Sequence, residues 1–457
     1  MNFLFRQVDI AVLVFFRIVF GLLMCIDMLN TFFYDYLKKN SLAPDQFHFQ
    51  YYGFEWIHPL PEPGVGILLL FLSVVSIFIM VGKWYRLSCS IFAIGFCYLF
   101  FLEKAHYLNH AYLVCWLSFL MVLLPAHRAF SFDVLKRPQL QLQTIPYWPV
   151  FLLQFMMGIV YFFGGLAKIN VDWLNAMPLQ LWLKDLSDMP VLGPVLAQRA
   201  TAYFMSYGGL LLDCFIVLFL SFPRTRIWAL AAAIFFHSVN VVLFNIGIFP
   251  FLSLALTLMY FSPDLPRKGV AFFSRKSKLF HRLATRLALP FEKTPTTSNA
   301  RYHSALSPQS ISMIIVIFCT IHCLIPFRQH LYPGHTAWTE EGHRYSWRML
   351  LRSKRATGSF TVKNSETKKQ ITVNPKKYLS AKQKRKMLSH PDMILQFAHF
   401  LRDEYQAKGW SEVEVYASIQ ASLNGRSNQR YIDPSVNLAK EEWHFFKASP
   451  WIIPLQE

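Results

Sequence analysis

The sequence predicts a mainly α-helical, polytopic transmembrane bundle of about eight or nine spans, with a C-terminal mixed α/β domain outside the membrane. Three observations predict this class. Of the 457 residues, 54% are hydrophobic and only 16% are charged, whereas soluble domains average about 25% charged residues. Apolar runs suited to crossing a membrane recur along the first three quarters of the chain. Residues 328–457 then return to a polar composition. These features exclude a disordered chain, a coiled coil and an ordinary soluble enzyme.

The apolar runs define the expected spans. They cover residues 9–29, 64–82, 87–102, 110–126, 148–166, 204–221, 226–245, 248–261 and 309–327. The run at 248–261 is short and contains Pro250, which leaves the count uncertain by one. The expected domains are a catalytic bundle at 1–261, a basic cytoplasmic loop at 262–307, a last transmembrane helix at 308–327 and an extracytoplasmic domain at 328–457.

The positions of the basic residues predict the orientation. Lys and Arg concentrate in the loops after the second, fourth, sixth and eighth runs, and such residues favour the cytoplasmic side. All four loops share one face if the N-terminus is cytoplasmic. The loop at 262–307 then either contacts anionic lipid headgroups or only fixes the topology. The net charge of +19 is spread over loops on both faces, so we expect no nucleic-acid partner.

The outer domain is expected to combine a small sheet with a helix. Ser359–Lys363 and Gln370–Val373 alternate in polarity across a polar connection, which indicates a hairpin. Pro391 begins a run with helical periodicity, and proline suits the first turn of a helix. Residues 413–423 alternate as a strand.

Lys168 is the most informative charged residue, because charges inside apolar spans are usually paired or functional. It lies at the outer end of the fifth span, where it could extend to the interface. Asp172, four residues later, is a possible partner, and Gly164 and Gly165 allow close helix packing one turn earlier. In an apolar pocket desolvation favours the uncharged amine, which can act as a general base.

Arg17 and Asp213 are the other charges considered within the spans, and we interpret them as a possible structural pair. His106 and His110 have the i, i+4 spacing of metal ligands. Without a third ligand we expect no metal there, and a hydrogen-bonding role is the more natural interpretation.

Polar and aromatic residues are expected near Lys168 at the outer mouth of the bundle. Asn109 and His110 begin the fourth span, His237 and Asn240 share one face of the seventh, and Phe249 follows. The His237–Asn240 pair also fits a structural interhelical bond. Together these groups suit an aromatic, lipid-soluble ligand such as a quinone or a phenol.

The segment YFFGGLAKINVDWL (161–174) resembles the vitamin K-dependent γ-glutamyl carboxylase family in its bacterial, HTTM-domain form. Further segments agree in order across nearly the whole chain: FLEKAHYLNHAYL (101–113), FFHSVNVVLFNIGIF (235–249), WTEEGHRYSWRML (338–350), HPDMILQFAHFL (390–401) and NQRYIDPSVNLA (428–439). The ordered set is highly specific, whereas no single segment is.

The resemblance implies roles for particular residues. Lys168 matches the catalytic lysine that acts as base on the reduced quinone, although the family usually has a second lysine where Ala167 stands here. Trp338 and Thr339 match the segment associated with the glutamate substrate, preceded by His335 where the family has an aromatic residue. The quinone-binding residues are expected to be Asn109, His110, His237, Asn240 and Phe249.

The implied activity couples oxygenation of reduced vitamin K to its epoxide with carboxylation of peptidyl glutamate. The hydroquinone of phylloquinone or menaquinone is the implied cofactor, with O2 and CO2 as cosubstrates and no metal. Membrane lipid, the quinone and a Glu-containing peptide or protein are the implied partners. The resemblance favours a bacterial cell membrane with a periplasmic active face, or the ER membrane in a eukaryote.

Three functional hypotheses remain open at this stage. The enzyme could be a coupled carboxylase, or a hydroquinone epoxidase without carboxylase activity because His335 departs from the family pattern. A non-catalytic quinone-binding or transport protein is the second class, but the chain lacks the matching halves typical of transporters. A membrane scaffold is the third, and it would not require Lys168, Asn109 and His110 on one face.

Overall fold

The structure is a computed structural model that describes residues 2–37, 47–244, 246–276, 302, 304 and 306–456. Seven of its helices are long and apolar enough to cross a membrane. They are Ala11–Tyr36, Gly64–Val81, Tyr85–Leu102, Trp148–Lys168, Arg199–Ser221, Arg226–Leu243 and Pro308–Leu331. Two shorter apolar helices, Asn109–Leu123 and Phe249–Tyr260, coincide with the fourth and eighth predicted runs. The predicted polytopic helical class is therefore confirmed.

The α-helices in the described part of the chain are α1 Asn2–Phe5, α2 Ala11–Asn30, α3 Gly64–Val81, α4 Tyr85–Leu102, α5 Asn109–Leu123, α6 Phe132–Lys136, α7 Trp148–Lys168, α8 Val171–Leu174, α9 Leu179–Lys184, α10 Gly193–Leu196, α11 Arg199–Ser221, α12 Arg226–Leu243, α13 Phe249–Thr257, α14 Leu265–Lys276, α15 Pro308–Leu324, α16 Thr336–Thr339, α17 Ala381–Leu388 and α18 Pro391–Ala407. A π-helical segment, Thr31–Tyr36, extends α2. Short 3-10 segments lie at Lys104–His106, Pro138–Leu140, Leu258–Tyr260, Ile325–Leu331 and Pro375–Lys377.

The strands form two antiparallel sheets. They are β1 Gln7–Asp9, β2 Thr144–Pro146, β3 Lys354–Asn364, β4 Gln370–Val373, β5 Val413–Leu423 and β6 Gln429–Arg430. The first two pair with each other, and the others form a sheet in the order β4-β3-β5-β6. The expected hairpin is present as β3 and β4, with Phe360 opposite Val373. Helix α18 packs on this sheet, where Phe397 contacts Phe360 at 5.0 Å between ring centroids.

Contacts between successive helices close the bundle. Helices α2, α3 and α4 each pack against the next one along the chain, up to α5. Helix α11 packs between α7 and α12. Helix α12 also contacts α13, and α13 packs against both α2 and α7. Large apolar side chains such as Trp228, Phe204 and Ile94 are exposed on the outside of these helices. Uncovered apolar surface of this kind is typical of helices surrounded by lipid.

The interpretation of Arg17 and Asp213 as a pair is wrong. The fully buried Arg17 donates hydrogen bonds to the carbonyls of Ala126 at 2.8 Å and Ala129 at 3.1 Å, and also to that of Phe130. Those carbonyls follow α5, at the end of the bundle away from the outer domain. Arg17 therefore binds a loop backbone at one end, while Asp213 lies towards the other.

The basic loop is described only in part. Helix α14 carries Arg267, whose Nε lies 2.8 Å from Asp9 Oδ2 and so ties this helix to the start of the bundle. Residues 277–301, 303 and 305 lie outside the described residues, so the expected contact of this loop with lipid headgroups stays a prediction.

Candidate functional site

A cavity of about 1020 Å³ lies between the bundle and the outer domain. Its bundle half is formed by the ends of α2, α4, α5, α7, α11 and α12, and its outer half by residues from segment 343–352 and helices α17 and α18. Six of the predicted site residues line it together: Lys168, Asn109, His110, His237, Asn240 and Phe249. The structure thus brings the expected quinone-binding residues and the expected base to one space.

Lys168 is buried and forms an ion pair with Asp213. Its Nζ also lies 3.4 Å from the carbonyl oxygen of Gly164 and 5.3 Å from the ring centroid of Trp173. The sequence leaves open a lysine that extends to the interface, a pair with Asp172 or an uncharged amine in an apolar pocket. Lys168 is buried instead of extended, and none of these expectations includes the carboxylate on α11. The two side chains therefore compensate each other's charge inside the bundle.

The Asp172 side chain does not pair with Lys168, because α7 ends at Lys168 and the backbone turns before α8 begins. The i, i+4 relation holds only within a continuous helix. Asp172 instead accepts hydrogen bonds from Arg426 at 2.7 Å and from Asn424 at 2.7 Å. It therefore fastens the outer domain to the bundle just beside the site.

Two glycines place the ion pair. A Cβ atom on Gly165 would lie 2.9 Å from the backbone nitrogen of Cys214, and one on Gly164 would lie 3.2 Å from Asp213 Oδ2. Real Cβ atoms do not approach backbone so closely. Glycine at these two positions lets α7 and α11 approach closely, as small residues do where membrane helices pack. This close approach brings the Asp213 carboxylate into contact with Lys168.

An aromatic and imidazole wall lines the bundle half of the cavity. The Phe249 ring lies 6.1 Å from the His110 ring and 6.1 Å from the His237 ring, measured between centroids. The Tyr161 hydroxyl is 2.9 Å from His237 Nε2. The other ring nitrogen, His237 Nδ1, is buried without a hydrogen-bond partner in the described part of the chain. Flat walls with an unused polar atom suit a planar ligand that carries oxygen.

Asn109 joins the bundle to the outer domain. Its Oδ1 accepts a hydrogen bond from the Tyr107 hydroxyl at 2.9 Å, and its Nδ2 donates to the Arg348 carbonyl at 3.1 Å. The Tyr107 hydroxyl in turn accepts from the backbone nitrogen of Tyr345 at 2.7 Å. These bonds fix the orientation of the Asn109 amide at the boundary between the two halves of the cavity.

The outer half of the cavity is basic, which the sequence reasoning missed. Arg348, Arg352 and Lys386 line it. Arg352 Nε lies 3.0 Å from Glu340 Oε1, but among the described residues neither Arg348 nor Lys386 has a carboxylate within ion-pair distance. Burial and, to a lesser extent, the neighbouring Arg352 together lower the pKa of Lys386 to about 8. Unpaired cations at this end suit a bound carboxylate.

A signal for this basic half exists in the sequence. Basic residues crowd the stretches WRMLLRSKR (347–355) and KQKRKM (382–387), and both flank segments that carry the family resemblance. Charge alone does not distinguish a solvated surface from a lined cavity, so the signal could not be interpreted before the fold was known.

The residues expected to bind glutamate do not line this cavity. Trp338 is buried in the outer domain, where its Nε1 donates to the Ile453 carbonyl at 2.7 Å and its ring packs 4.9 Å from Tyr431. Thr339 is likewise buried. His335 is electrostatically close to Asp172 and Arg348, and burial lowers its pKa. Trp338 and Thr339 thus are buried in the outer domain and are not among the residues that line this cavity.

The described residues contain no group of three or more His, Cys, Asp or Glu side chains arranged to hold a metal ion. His106, considered with His110 for its metal-like spacing, has its Nδ1 3.0 Å from Lys382 Nζ. It lies in the 3-10 segment before α5, so the two histidines do not share one helix.

Comparison with known families accounts for most of the chain. The HTTM domain family matches residues 5–265, which is more than half of the sequence. The family described as vitamin K-dependent gamma-carboxylase, lumenal domain, matches residues 307–457. No solved structure matches the chain. Two adjoining domains of one enzyme family, following each other along a multi-pass membrane chain, show that this protein belongs to the vitamin K-dependent gamma-carboxylase family.

Proposed function

We propose that the protein oxygenates reduced vitamin K to its epoxide and couples this reaction to carboxylation of peptidyl glutamate. One observation carries the proposal: a single cavity joins an aromatic-walled half, which contains the Lys168–Asp213 pair, to a basic half in which Arg348 and Lys386 have no carboxylate partner among the residues that the structure describes. A lipid-soluble hydroquinone needs aromatic and apolar walls, and the anionic glutamate side chain needs cations. The reaction requires both kinds of surroundings in one cavity.

The aromatic half fits the quinone. Phe249 and His110 offer flat surfaces for a fused ring, and His237 Nδ1 offers a hydrogen-bonding atom that the protein leaves unused. Asn109 is held by Tyr107 and by the Arg348 carbonyl, so its orientation is set before the ligand arrives. Reduced vitamin K, bound there with O2, supplies the strong base that removes a γ-hydrogen from glutamate, and CO2 then adds to the carbon.

Lys168 and Asp213 act together as the proton acceptor in this proposal. In the first step the ammonium proton of Lys168 passes to the Asp213 carboxylate, which leaves an uncharged amine and a carboxylic acid. The amine then takes the phenolic proton of the hydroquinone. The O–H bond breaks, an N–H bond forms, and Asp213 holds the displaced proton.

The basic half holds the acceptor glutamate. Among the described residues no carboxylate pairs with Arg348 or Lys386, so in this proposal the γ-carboxylate of the substrate completes their pairing. Arg348 Nη1 is oriented by Gln329 Oε1 at 2.8 Å. This assignment replaces the role expected for Trp338 and Thr339 as direct contacts, and these two residues support the wall instead.

We place the protein in a bacterial cell membrane with the cavity on the periplasmic side and menaquinol as its native hydroquinone; in a eukaryote the same face would meet the ER lumen. The alternation of basic loops supports this orientation.

The deciding experiment uses the purified full chain in detergent with reduced vitamin K, oxygen, labelled bicarbonate and a Glu-containing peptide. Epoxide and labelled peptide are expected from the native protein, and neither from Lys168→Ala. Lys184→Ala serves as the control, because Lys184 is an exposed lysine of α9 outside the cavity. Equal epoxide formation by native protein and Lys168→Ala would overturn the assignment of the base.

A hydroquinone epoxidase without carboxylase activity is the second candidate. It is favoured by the burial of Trp338 and Thr339 away from the cavity. In the same assay it would give epoxide that depends on Lys168, with no label in any peptide.

A further inference from the structure

One face of the first spanning helix, Ala11–Tyr36, lines the cavity with polar side chains. The polar residues of this face that line the cavity are Asp27, Asn30, Thr31, Tyr34 and Asp35. Their spacing of i, i+3, i+4, i+7 and i+8 is that of neighbours on one side of a helix. The segment Thr31–Tyr36 is π-helical, and such segments are frequent at functional sites.

Asp27 differs from the other carboxylates of the cavity because it has no cation. The described lining residues include three carboxylates: Asp27, Asp35 and Asp213. Asp213 pairs with Lys168, and Asp35 Oδ1 lies 3.9 Å from Lys382 Nζ. Among the described residues, the only charged group that acts on Asp27 is Asp35, which repels it. An unpaired charge in a spanning helix typically belongs to an ion pathway or a proton relay.

Asp35 connects this helix face to the outer solution. Its side chain is 36% exposed and that of Lys382 is 33% exposed. Lys382 Nζ lies 3.0 Å from His106 Nδ1, and His106 also lines the cavity. Along the helix, Asp27 therefore lies inward of an exposed group of ionisable side chains.

The proposed reaction leaves a proton that has to reach this solution. Hydroquinone, O2, CO2 and the γ-C–H bond of glutamate give epoxide, water, a new carboxylate and one proton, and the hydroquinone supplies all four electrons that O2 takes up. Two of the three hydrogens that are released end in water. The third is the phenolic proton that Lys168 has taken up. Epoxide formation alone leaves no proton, because both hydroquinone hydrogens then end in water.

The position of the Lys168–Asp213 pair means that this proton needs a route. Both side chains are only 5% exposed. A route through the outer half of the cavity would pass the cations Arg348, Arg352 and Lys386, which repel a proton. The helix face with Asp27 carries the opposite charge. Water can connect the two sides of a cavity of about 1020 Å³, because each water molecule occupies about 30 Å³ in the liquid.

We propose that Asp27 carries the proton released in each carboxylation from the Lys168–Asp213 pair, through water in the cavity, to Asp35 and the outer solution. The pair loses one proton and returns to its ion-paired form. An O–H bond forms on the Asp27 carboxylate and breaks again as the proton moves outward. This inference rests on the proposed function, because only the coupled reaction releases the proton.

Turnover of the detergent-purified full chain with and without a Glu-containing peptide tests the route. Asp27→Asn is expected to lower the rate of peptide carboxylation about 10- to 100-fold, at or below the usual scale for loss of a proton-transfer group. Epoxide formation without peptide should fall far less. Asp27→Glu should keep most of the carboxylation rate. Sodium azide, whose conjugate acid is a small diffusible proton carrier, should restore carboxylation by Asp27→Asn, which it would not do for a structural defect.

Asp185→Asn is the matched control. Asp185 is an exposed carboxylate that does not line the cavity, so neither rate should change and azide should have no effect. The unfolding temperature of each variant is recorded in parallel. Asp27→Asn should not lower it, because the substitution removes an unpaired charge from a spanning helix.

The outcomes separate this inference from the proposed function. Equal carboxylation by the native protein and Asp27→Asn would overturn the proton route and leave the reaction standing. Equal losses with and without peptide, without rescue by azide, would show a structural role for Asp27 and also overturn the route. Epoxide without any labelled peptide from the native protein would overturn the coupled reaction. The route would fall with it, because epoxide formation alone releases no proton.

Discussion

At the scale of single residues, the central feature is that the expected base is not alone. Lys168 meets Asp213 inside the bundle, and both side chains are almost fully covered. Removing one partner of a buried pair leaves an uncompensated charge, which typically costs about 3–5 kcal/mol. The pair therefore matters for both folding and chemistry, and the two effects must be measured separately.

Asp213→Asn tests the shared proton. The amide cannot accept the ammonium proton, so we expect the kcat for epoxide formation to fall about 100-fold or more, the usual scale for loss of general base catalysis. The KM for the hydroquinone should change little. Asp188→Asn is the control, because Asp188 is exposed and lies outside the cavity. Unfolding temperature is recorded in parallel, and Asp213→Glu should restore part of the rate if proton transfer is the cause.

Lys386 predicts a pH dependence of substrate binding. Burial, with a smaller contribution from Arg352, lowers the pKa of Lys386 to about 8. The ammonium is present below that pH and is lost above it, so the KM for a Glu peptide should rise as the pH increases from about 7 to 9. Lys386→Met should give a raised KM across this range, while Lys386→Arg should keep it low. Epoxide formation without peptide is the internal control, and a parallel pH dependence there would contradict this role.

At the scale of elements, the contact between α7 and α11 sets the geometry of the site. Gly165→Ala would place a Cβ 2.9 Å from the Cys214 backbone nitrogen, and overpacking of this kind costs about 1–3 kcal/mol. We expect a lower unfolding temperature and a loss of epoxidase activity, because the helices separate and the ion pair is pulled apart. Gly208→Ala is the matched control in α11, since its added Cβ would meet nothing within 4 Å. Equal losses in both variants would mean that helix propensity, not packing, is responsible.

At the scale of the whole molecule, the bundle and the outer domain are joined by buried charges. Burial alone would raise the pKa of Asp392, but Arg344 and Lys104 outweigh it and hold that pKa well below the usual range. A carboxylate with a depressed pKa stabilises the fold above its unfolded-state value near 3.9 and loses this effect only as the pH falls towards the folded value. The junction should therefore survive mild acid.

Asp392→Asn tests that junction. Two buried cations lose their common partner, so we expect destabilisation by about 3–5 kcal/mol, measured as a lower unfolding temperature in detergent at pH 7. The difference from the native protein should shrink as the pH approaches 3, where the native carboxylate begins to lose its advantage. Glu366→Gln, at an exposed position, should show neither effect.

Sequence reasoning located the site by local rules. The sequence predicts that Lys168, Asn109 and His110 lie on one side of the membrane, because Lys168 ends its span on the side where Asn109 and His110 begin theirs, and the orientation of each span follows from loop charge. Those rules do not describe which helices touch. The contact between α7 and α11 depends on the packing of the whole bundle. For this reason the sequence suggests Arg17, and not Lys168, as the partner of Asp213.

The membrane class, the apolar runs, the family and the residues expected at the outer mouth follow from the sequence, because apolar length and motif order are properties of contiguous residues. The pairing of Lys168 with Asp213, the bond between Asp172 and Arg426, and the basic half of the cavity with Arg348 and Lys386 are visible only in the folded chain. These contacts join residues 45 to 254 positions apart. Such pairings arise from the closure of the bundle and its outer domain, which no local pattern specifies.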